Sequence, residues 1–194
     1  MEEKQSLDSE YFKGVYDANE DPWNFETSQY EAKKYEATIA SLPKEHYESV
    51  LEIGCSIGVL TQLLAEKSTH LLATDISEKA LDLAKKRCAD LGNVAFRKLN
   101  FQNELPEEQY DLIMVSEVAY YLSPKDWKVA VGNLYERLKT NGNIVLVHWL
   151  PEVHDYPQTG DEVHQIFEKL MKDKMKNVFN DRAETYRIDV WAKS

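Results

Sequence analysis

Short apolar runs alternate with segments of helical period along most of this chain, and this alternation limits the possible folds more than any other feature. The runs SVLEIG, HLLATD, YDLIMVS and IVLVHW occupy residues 49–54, 70–75, 110–116 and 144–149 and have the length of buried strands. Between them, apolar side chains recur every three or four residues, as on the buried face of a helix. The sequence therefore predicts an α/β fold, a doubly wound, mostly parallel sheet with helices on both faces.

The residues at the ends of these segments agree with the predicted boundaries. Ser77 and Ser123 stand where helix N-caps belong, and Pro124 follows at a first helical position. Asn141-Gly142 predicts a turn before the strand that starts at residue 144. Beyond that strand, residues 160–171 have a helical period, and runs at 176–183 and 184–192 predict two strands that pair antiparallel at the sheet edge.

The N-terminal part of the chain has a different composition. It is acidic and polar yet rich in aromatic side chains, which indicates that it packs on the rest of the molecule. A helical pattern follows from Ser28 and ends at Leu42-Pro43. We expect one domain over residues 1–194, in which residues 1–45 form a cap segment and helix over the ligand cleft and residues 46–194 form the core.

Composition and charge exclude several classes of function. The net charge of −11 would repel a nucleic acid backbone, and no apolar run is long enough to span a membrane. Two cysteines, Cys55 and Cys88, cannot form a disulfide framework, and the start of the chain lacks the pattern of a signal peptide. We therefore expect a cytoplasmic protein with a small-molecule partner, no nucleic acid and no membrane.

A glycine loop follows the first predicted strand. Gly54 lets the chain turn sharply at the strand end, and Gly58 allows a close approach at the start of the next helix. Asp75 ends the second predicted strand, where a carboxylate can accept hydrogen bonds from both hydroxyls of a ribose. These residues together predict a pocket for a nucleoside-containing ligand.

The loop sequence favours a particular ligand. A dinucleotide-binding loop needs glycine at Gly54, Ser56 and Val59, and only the first of these is glycine. A phosphate-binding loop with Gly-Lys-Ser or Gly-Lys-Thr is absent from the sequence. Glu52 would repel a phosphate but suits an ammonium group and a positive sulfonium. S-adenosylmethionine carries both, and it is the predicted cofactor.

Residues 51–150 resemble a class I S-adenosylmethionine-dependent methyltransferase with a Rossmann-like, seven-stranded sheet whose last strand is antiparallel. The resemblance lies in LEIGCSIG, ATDIS, KLNFQ, YDLIMVSEVAYYL and NGNIVLVHW. DPWNFETSQYEAKKYEATIASLP, SEVAYYL and YRIDVW are similar to the narrower NodS-like group, whose namesake N-methylates the amino sugar of a chitooligosaccharide.

The resemblance implies a set of cofactor-binding residues. It places Glu52, Gly54 and Gly58, in one loop with Cys55 and Ser56, around the methionine moiety, Asp75 and Ile76 at the ribose, Asn100 and Phe101 at the adenine, and Ser116 and Glu117 beneath the sulfonium. The sequence departs from the family pattern at Ser56, where a glycine is usual, and at Asn100, where an aspartate is common.

Further residues are candidates for catalysis and acceptor binding. His148 and Glu117 end predicted strands and are candidate bases for deprotonating an amine, although a core position is an equally good interpretation of His148. Aromatic side chains either belong to the core or cover the cleft: Trp23 and Tyr30 over the cofactor, and Tyr120 and Tyr121 at the substrate, of which adjacency allows one to face the cleft. His154 lies in the rim loop PEVHDYPQTG and is a candidate substrate residue. The histidine spacing matches no metal motif.

The expected function is transfer of a methyl group to a small-molecule acceptor, with S-adenosylhomocysteine as product and the nitrogen of an amino sugar or oligosaccharide as the favoured acceptor. Three alternatives stay open. One is an O-methyltransferase for a sugar or small metabolite, one is a non-catalytic S-adenosylmethionine-binding module, and the third, which the glycine pattern disfavours, is an NAD-dependent oxidoreductase. The sequence does not indicate an oligomeric state.

Overall fold

The computed structural model describes residues 4–194, which contain a 7-stranded sheet of order β3-β2-β1-β4-β5-β7-β6. The strands are β1 (Tyr47–Ile53), β2 (Ser68–Asp75), β3 (Val94–Lys98), β4 (Tyr110–Ser116), β5 (Leu138–Trp149), β6 (Met175–Arg182) and β7 (Tyr186–Lys193). Strand β7 runs antiparallel to both β5 and β6, and the other pairings are parallel. The predicted doubly wound sheet with an antiparallel last strand is confirmed.

Two helices begin at the predicted caps, Ser77 and Ser123. The helices of the described residues are α1 (Ser9–Ala18), α2 (Gln29–Ala40), α3 (Val59–Ala65), α4 (Glu78–Arg87), α5 (Pro124–Arg137) and α6 (Gly160–Met171), with a short 3-10 helix at Ala119–Tyr121. The Ser77 and Ser123 side chains each accept a hydrogen bond from a backbone N–H in the first turn of their helices. Over residues 4–194, no helix combines the length and apolarity needed to cross a bilayer.

The two faces of the sheet bury alternate residues of the same strand. In β4, Ile113 and Val115 belong to the hydrophobic cluster that contains the buried side chains of α5 and α6. Leu112 and Met114 point the other way, into the cluster that contains Leu64 of α3. Because successive side chains of a strand point to opposite faces, this division places helices on both faces of the sheet.

Two local expectations differ from the structure. Helix α1 was not predicted, since its acidic sequence has few aliphatic residues; Phe12 and Tyr16 are its buried side chains. Strand β5 begins at Leu138 rather than after Asn141-Gly142, because the pairing with β4 shifts register at this point and Asn141, at φ 60°, makes a bulge within the strand.

Candidate active site

A cavity of about 400 Å³ opens at the carboxyl ends of β1, β2 and β4, beneath side chains of α1 and α2. Strand β1 lies between β2 and β4, so the order of the parallel strands reverses direction at β1. Ligands of open α/β sheets bind at such a point of reversal, beyond the carboxyl ends of the strands. Most predicted site residues line it: Trp23, Tyr30, Gly54, Ser56, Asp75, Ile76, Asn100, Phe101, Ser116, Glu117, Tyr120 and Tyr121. Glu52, Cys55, Gly58, His148 and His154 do not.

The glycine loop turns sharply at its first glycine. Gly54 has φ 77°, a region that favours glycine, and a Cβ atom there would collide with the Val118 side chain. The N–H groups of Gly54 and Cys55 both donate to the Thr74 carbonyl, at 2.8 and 2.9 Å. The turn thus ties the end of β1 to β2 and leaves the loop backbone facing the cavity.

The Asp75 carboxylate is held at the cavity by backbone donors. Its Oδ2 accepts from the Ser56 N–H at 2.9 Å, and its Oδ1 accepts from the Ser77 N–H at 2.8 Å. Burial raises the pKa of Asp75 to about 6, although these hydrogen bonds oppose the rise. The side chain is therefore fixed in position and mainly ionised at neutral pH, as a partner for ligand hydroxyls must be.

Gly58 and Cys55 of the glycine loop serve packing and do not line the cavity. A Cβ atom on Gly58, which has φ 85°, would lie 3.0 Å from the Ala84 Cα atom of α4. The absent side chain therefore permits contact between the start of α3 and α4. Cys55 packs with Ala84 in a buried cluster. The predicted placement of Gly58 and Cys55 around the cofactor is not supported by these contacts.

Glu52 is buried beneath the loop, and its placement differs from the predicted contact with the methionine moiety. It is 1% exposed, and its Oε2 accepts from the Thr61 hydroxyl at 2.7 Å. Burial raises the pKa of Glu52 to about 8, so the carboxyl is largely protonated at neutral pH. A neutral side chain outside the cavity is not a partner for a ligand ammonium group.

We expect Glu52→Gln to stabilise the protein at alkaline pH. Between its ordinary pKa and about 8, folded Glu52 holds a proton that the unfolded chain releases, so the free energy of unfolding falls as the pH rises. Glutamine does not titrate, and the variant should gain ~1 to 3 kcal/mol at about pH 8, with the gain vanishing towards pH 5. Urea denaturation at both pH values measures this difference.

The matched control is Glu48→Gln, an exposed position on the same strand. We expect the dissociation constant for S-adenosylmethionine to stay within about twofold in both variants, because neither side chain lines the cavity. A large loss of affinity in Glu52→Gln would restore the predicted contact with the methionine moiety.

Glu117 is the centre of a polar cluster at the cavity. It follows β4 at φ 57°, and its Oε1 lies 2.5 Å from the Lys34 Nζ. Its Oε2 accepts from the Tyr120 hydroxyl at 2.6 Å and from the Trp149 N–H at 2.9 Å. Lys34 Nζ also lies 2.9 Å from the Glu31 Oε2. Lys34 therefore bridges two carboxylates.

Lys34 and Glu31 were not predicted as site residues. Their link to Glu117 joins α2 to a loop 83 positions away, and no local pattern reveals such a contact. The available signal was the position of Lys34 beside Tyr30 on one face of the N-terminal helix. Burial alone would lower the pKa of Lys34, but the Glu117 and Glu31 carboxylates outweigh it and raise the pKa, so this ammonium stays charged.

His148 lies behind the cavity wall, contrary to its predicted placement at the cleft. It is 0% exposed, and its Nε2 accepts from the Ala119 N–H at 3.2 Å. Its Nδ1 therefore carries the proton and donates to the His164 Nε2 at 3.1 Å, and the His164 Nδ1–H donates to the Asp189 Oδ2 at 2.8 Å. Burial, aided by His164, lowers the pKa of His148 well below its ordinary value. Both ring nitrogens are occupied, so the ring cannot take a proton from an acceptor in this arrangement.

Aromatic side chains form the wall of the cavity near the rim loop. Tyr120 and Tyr121 both line the cavity. The prediction that only one of these adjacent side chains faces the cleft is therefore wrong. The Tyr120 and Tyr156 rings stack with centroids 5.0 Å apart, and the Tyr121 hydroxyl lies 3.4 Å from that of Tyr156. His154 is exposed outside the cavity, where its carbonyl accepts from Lys4. The rim loop therefore contributes Val153 and Tyr156 to the cavity, and not the predicted histidine.

Tyr16 and Asn100 complete the polar wall on the ribose side. The Tyr16 hydroxyl of α1 lies 2.6 Å from the Ser56 Oγ, so the unpredicted helix contacts the glycine loop. The Asn100 Oδ1 accepts from the Gln102 N–H at 3.2 Å, which fixes its side chain. Over residues 4–194, no group of three or more histidine, cysteine, aspartate and glutamate residues is arranged to hold a metal.

Comparisons with known proteins agree on one family. The profile described as Nodulation protein S (NodS) matches residues 9–153. Nodulation protein S of Rhizobium tropici is 32% identical over 130 residues, which are 66% of this chain and 55% of that protein. Phosphoethanolamine N-methyltransferase 1 of Caenorhabditis elegans is 28% identical over 145 residues, 74% of this chain and 30% of that protein. The match thus spans little more than half the length of the Rhizobium tropici protein and less than a third of the Caenorhabditis elegans protein.

A solved structure gives the same result for the fold. N-methyltransferase NodS from Bradyrhizobium japonicum WM9, in complex with S-adenosyl-L-homocysteine, superposes with a TM-score of 0.84 at 21% identity. The superposition covers 95% of this chain and 97% of that one. This likeness confirms the Rossmann-like methyltransferase fold. Because the family profile spans most of the sequence, the protein belongs to the nodulation protein S (NodS) family.

Proposed function

We propose that the protein is an S-adenosylmethionine-dependent methyltransferase that methylates an amine nitrogen of a small molecule. The main support for this proposal is that one cavity brings these groups together. Gly54 and Asp75 line it at the ends of β1 and β2, and the carboxylates of Glu31 and Glu117 line it as well. A nucleoside and a positively charged centre can therefore occupy the same cavity. Membership of the NodS family supports the same activity.

The residues present fit the methyl donor. Asp75 is buried, mainly ionised at neutral pH and fixed by backbone donors, so it would bind the ribose hydroxyls, and the backbone at Gly54 would lie against the amino acid part. Ile76, Asn100 and Phe101 line the adjoining wall and would contact the adenine. When bound, the donor supplies a methyl group on a positively charged sulfur. The NodS structure in complex with S-adenosyl-L-homocysteine supports this assignment.

The charges of the cavity favour a cationic acceptor. Glu31, Asp75 and Glu117 are carboxylates, and among the described lining residues Lys34 is the one lysine and none is an arginine. The excess of negative charge attracts an ammonium group on the acceptor and opposes a phosphate group there. An amine acceptor fits this balance better than a hydroxyl, which has no charge to satisfy.

An amino sugar or oligosaccharide is the acceptor that we propose within this class. The rim loop supplies Val153 and Tyr156 to the cavity, and the half-buried Tyr156 ring, held in place by stacking on Tyr120, provides an aromatic side chain against which a sugar ring can pack. The chain's buried, unpaired cysteines, Cys55 and Cys88, suit a reducing compartment, and we propose a cytoplasmic location.

A methyl-transfer screen tests this proposal. Purified protein with labelled S-adenosylmethionine is offered glucosamine, the disaccharide of glucosamine, ethanolamine, phosphoethanolamine and the corresponding hydroxyl compounds. We expect transfer to the amines and, since the cavity has no arginine among its described residues, a kcat/KM for phosphoethanolamine at least ~10-fold below that for ethanolamine.

Other outcomes of the screen identify the alternatives. Transfer to hydroxyl compounds alone would assign an O-methyltransferase. Tight binding of S-adenosylmethionine with no product from any acceptor would favour a non-catalytic binding module.

A further inference from the structure

The Glu31 side chain has fewer described hydrogen-bond donors than Asp75 and Glu117, the other carboxylates that line the cavity. It is 8% exposed, and among residues 4–194 its Oε2 has no hydrogen-bond partner of good geometry. Within the same residues its carboxylate pairs with Lys34, whose Nζ lies 3.1 Å from Oε1 and 2.9 Å from Oε2. A buried carboxylate with one donor retains acceptor capacity for another cation.

The two charged neighbours of Glu31 are already paired. Lys34 is already an ammonium held between two carboxylates. Glu117 accepts from Lys34, the Tyr120 hydroxyl and the Trp149 N–H, so both of its oxygens are already occupied by donors. Glu117 is therefore an anchor for Lys34 and Tyr120 and has less acceptor capacity left than Glu31.

We propose that Glu31 is the residue that receives the acceptor as an ammonium ion and takes its proton before methyl transfer. This inference rests on the proposed function and names the acceptor-binding residue within it. The entering ammonium replaces Lys34 at Glu31, while Lys34 keeps its contact with Glu117. Lys34 thus lies where, in this proposal, the substrate cation binds Glu31.

Proton transfer to Glu31 precedes attack by the acceptor nitrogen. An N–H bond of the ammonium breaks and an O–H bond forms on Glu31, which leaves a lone pair on nitrogen. That pair forms the new N–C bond as the S–C bond breaks with its electrons moving to sulfur. The product is a methylated ammonium ion and a neutral thioether, and Glu31 later returns its proton to solvent.

The groups around Glu31 set its titration. Lys34 lies on the same helix, Glu117 follows β4, and Asp21 lies in the loop before α2. The Tyr30 and Tyr35 phenols are also near the carboxylate. Burial raises the pKa of Glu31 above its ordinary value, and the contacts with Lys34 offset this only in part. An acid limb above the usual range of a glutamate is therefore expected in the pH profile of kcat/KM.

The test compares Glu31→Gln, Glu31→Asp and the control Glu36→Gln, an exposed position on the same helix. With the disaccharide of glucosamine as acceptor, we expect kcat/KM to fall ~100-fold or more in Glu31→Gln, with loss of the acid limb. Glu31→Asp keeps a carboxylate and should recover part of the rate together with that limb. Glu36→Gln should behave as wild type.

Calorimetry provides a readout that does not depend on turnover. In the presence of S-adenosylhomocysteine, Glu31→Gln should bind the disaccharide at least ~10-fold more weakly than wild type, with S-adenosylmethionine affinity and melting temperature unchanged. A wild-type rate, acid limb and acceptor affinity in Glu31→Gln would overturn the assignment. Wild-type protein that binds S-adenosylmethionine but methylates no amine would instead overturn the proposed function, and this inference with it.

Discussion

Replacing Asp75 by alanine is expected to weaken S-adenosylmethionine binding at least ~10-fold, since hydrogen bonds to a charged group contribute ~1.5 to 3 kcal/mol each. The carboxylate lies at the end of β2, is 8% exposed and lines the cavity, so bulk water cannot readily replace it. Loss of the carboxylate also removes the acceptor of the Ser56 N–H, which donates to the Asp75 Oδ2 at 2.9 Å. Titration calorimetry measures the change.

Two further variants make the result specific. Asp90→Ala changes an exposed aspartate after α4 and should leave the affinity unchanged. Asp75→Asn keeps the shape but not the charge. In wild type the affinity should decline as the pH falls below about 6, because protonation removes the carboxylate, whereas the Asn variant should show no such step. An unchanged dissociation constant in Asp75→Ala would refute the ribose assignment.

Removing the Asp189 carboxylate is expected to lower the free energy of unfolding by ~3 to 5 kcal/mol, the cost of breaking a buried ion pair on one side. Asp189 is 0% exposed, and its Oδ2 lies 2.8 Å from both the His164 Nδ1 and the Arg187 Nη2. Burial alone would raise the pKa of Asp189, but hydrogen bonds from these partners lower it, so the folded state holds the carboxylate charged. Asp189→Ala leaves both partners without it.

Urea denaturation measures the loss, with Asp181→Ala, an exposed aspartate on the neighbouring strand, as the control. We expect the control to change the free energy of unfolding by less than ~0.5 kcal/mol. A similarly small change in Asp189→Ala would show that the His148, His164 and Asp189 chain of hydrogen bonds is not a main support of this part of the fold.

Much of the fold could be predicted because its determinants are local. The apolar runs of β2 and β4 end where predicted, at Asp75 and Ser116, and Ser77 and Ser123 cap their helices. The side chains at the ends of parallel strands meet at one edge of the sheet, so most predicted cofactor residues also reach the cavity. Helix α1 was missed because its two buried side chains are aromatic and most of its other positions are polar or small.

The residues that were misplaced or missed depend on contacts between distant segments. An apolar strand end with a histidine does not show whether the ring faces a cleft or the core, and for His148 the deciding partner, His164, lies on α6. Glu52 looked like a ligand residue, yet its side chain turns to Thr61. Glu31 and Lys34 acquire their roles from Glu117, which no periodicity links to α2.

The position of β7 also constrains the order in which the molecule assembles. This strand follows β6 along the chain but lies between β5 and β6 in the sheet. Strand β6 therefore has no edge to join until β7 is in place, and β5 exposes unpaired backbone groups until then. The two strands are separated by a short turn, so closing their hairpin costs little chain entropy. We expect β6 and β7 to pair with each other before either strand contacts β5. The finished hairpin then docks onto β5 as one unit, late in the folding reaction.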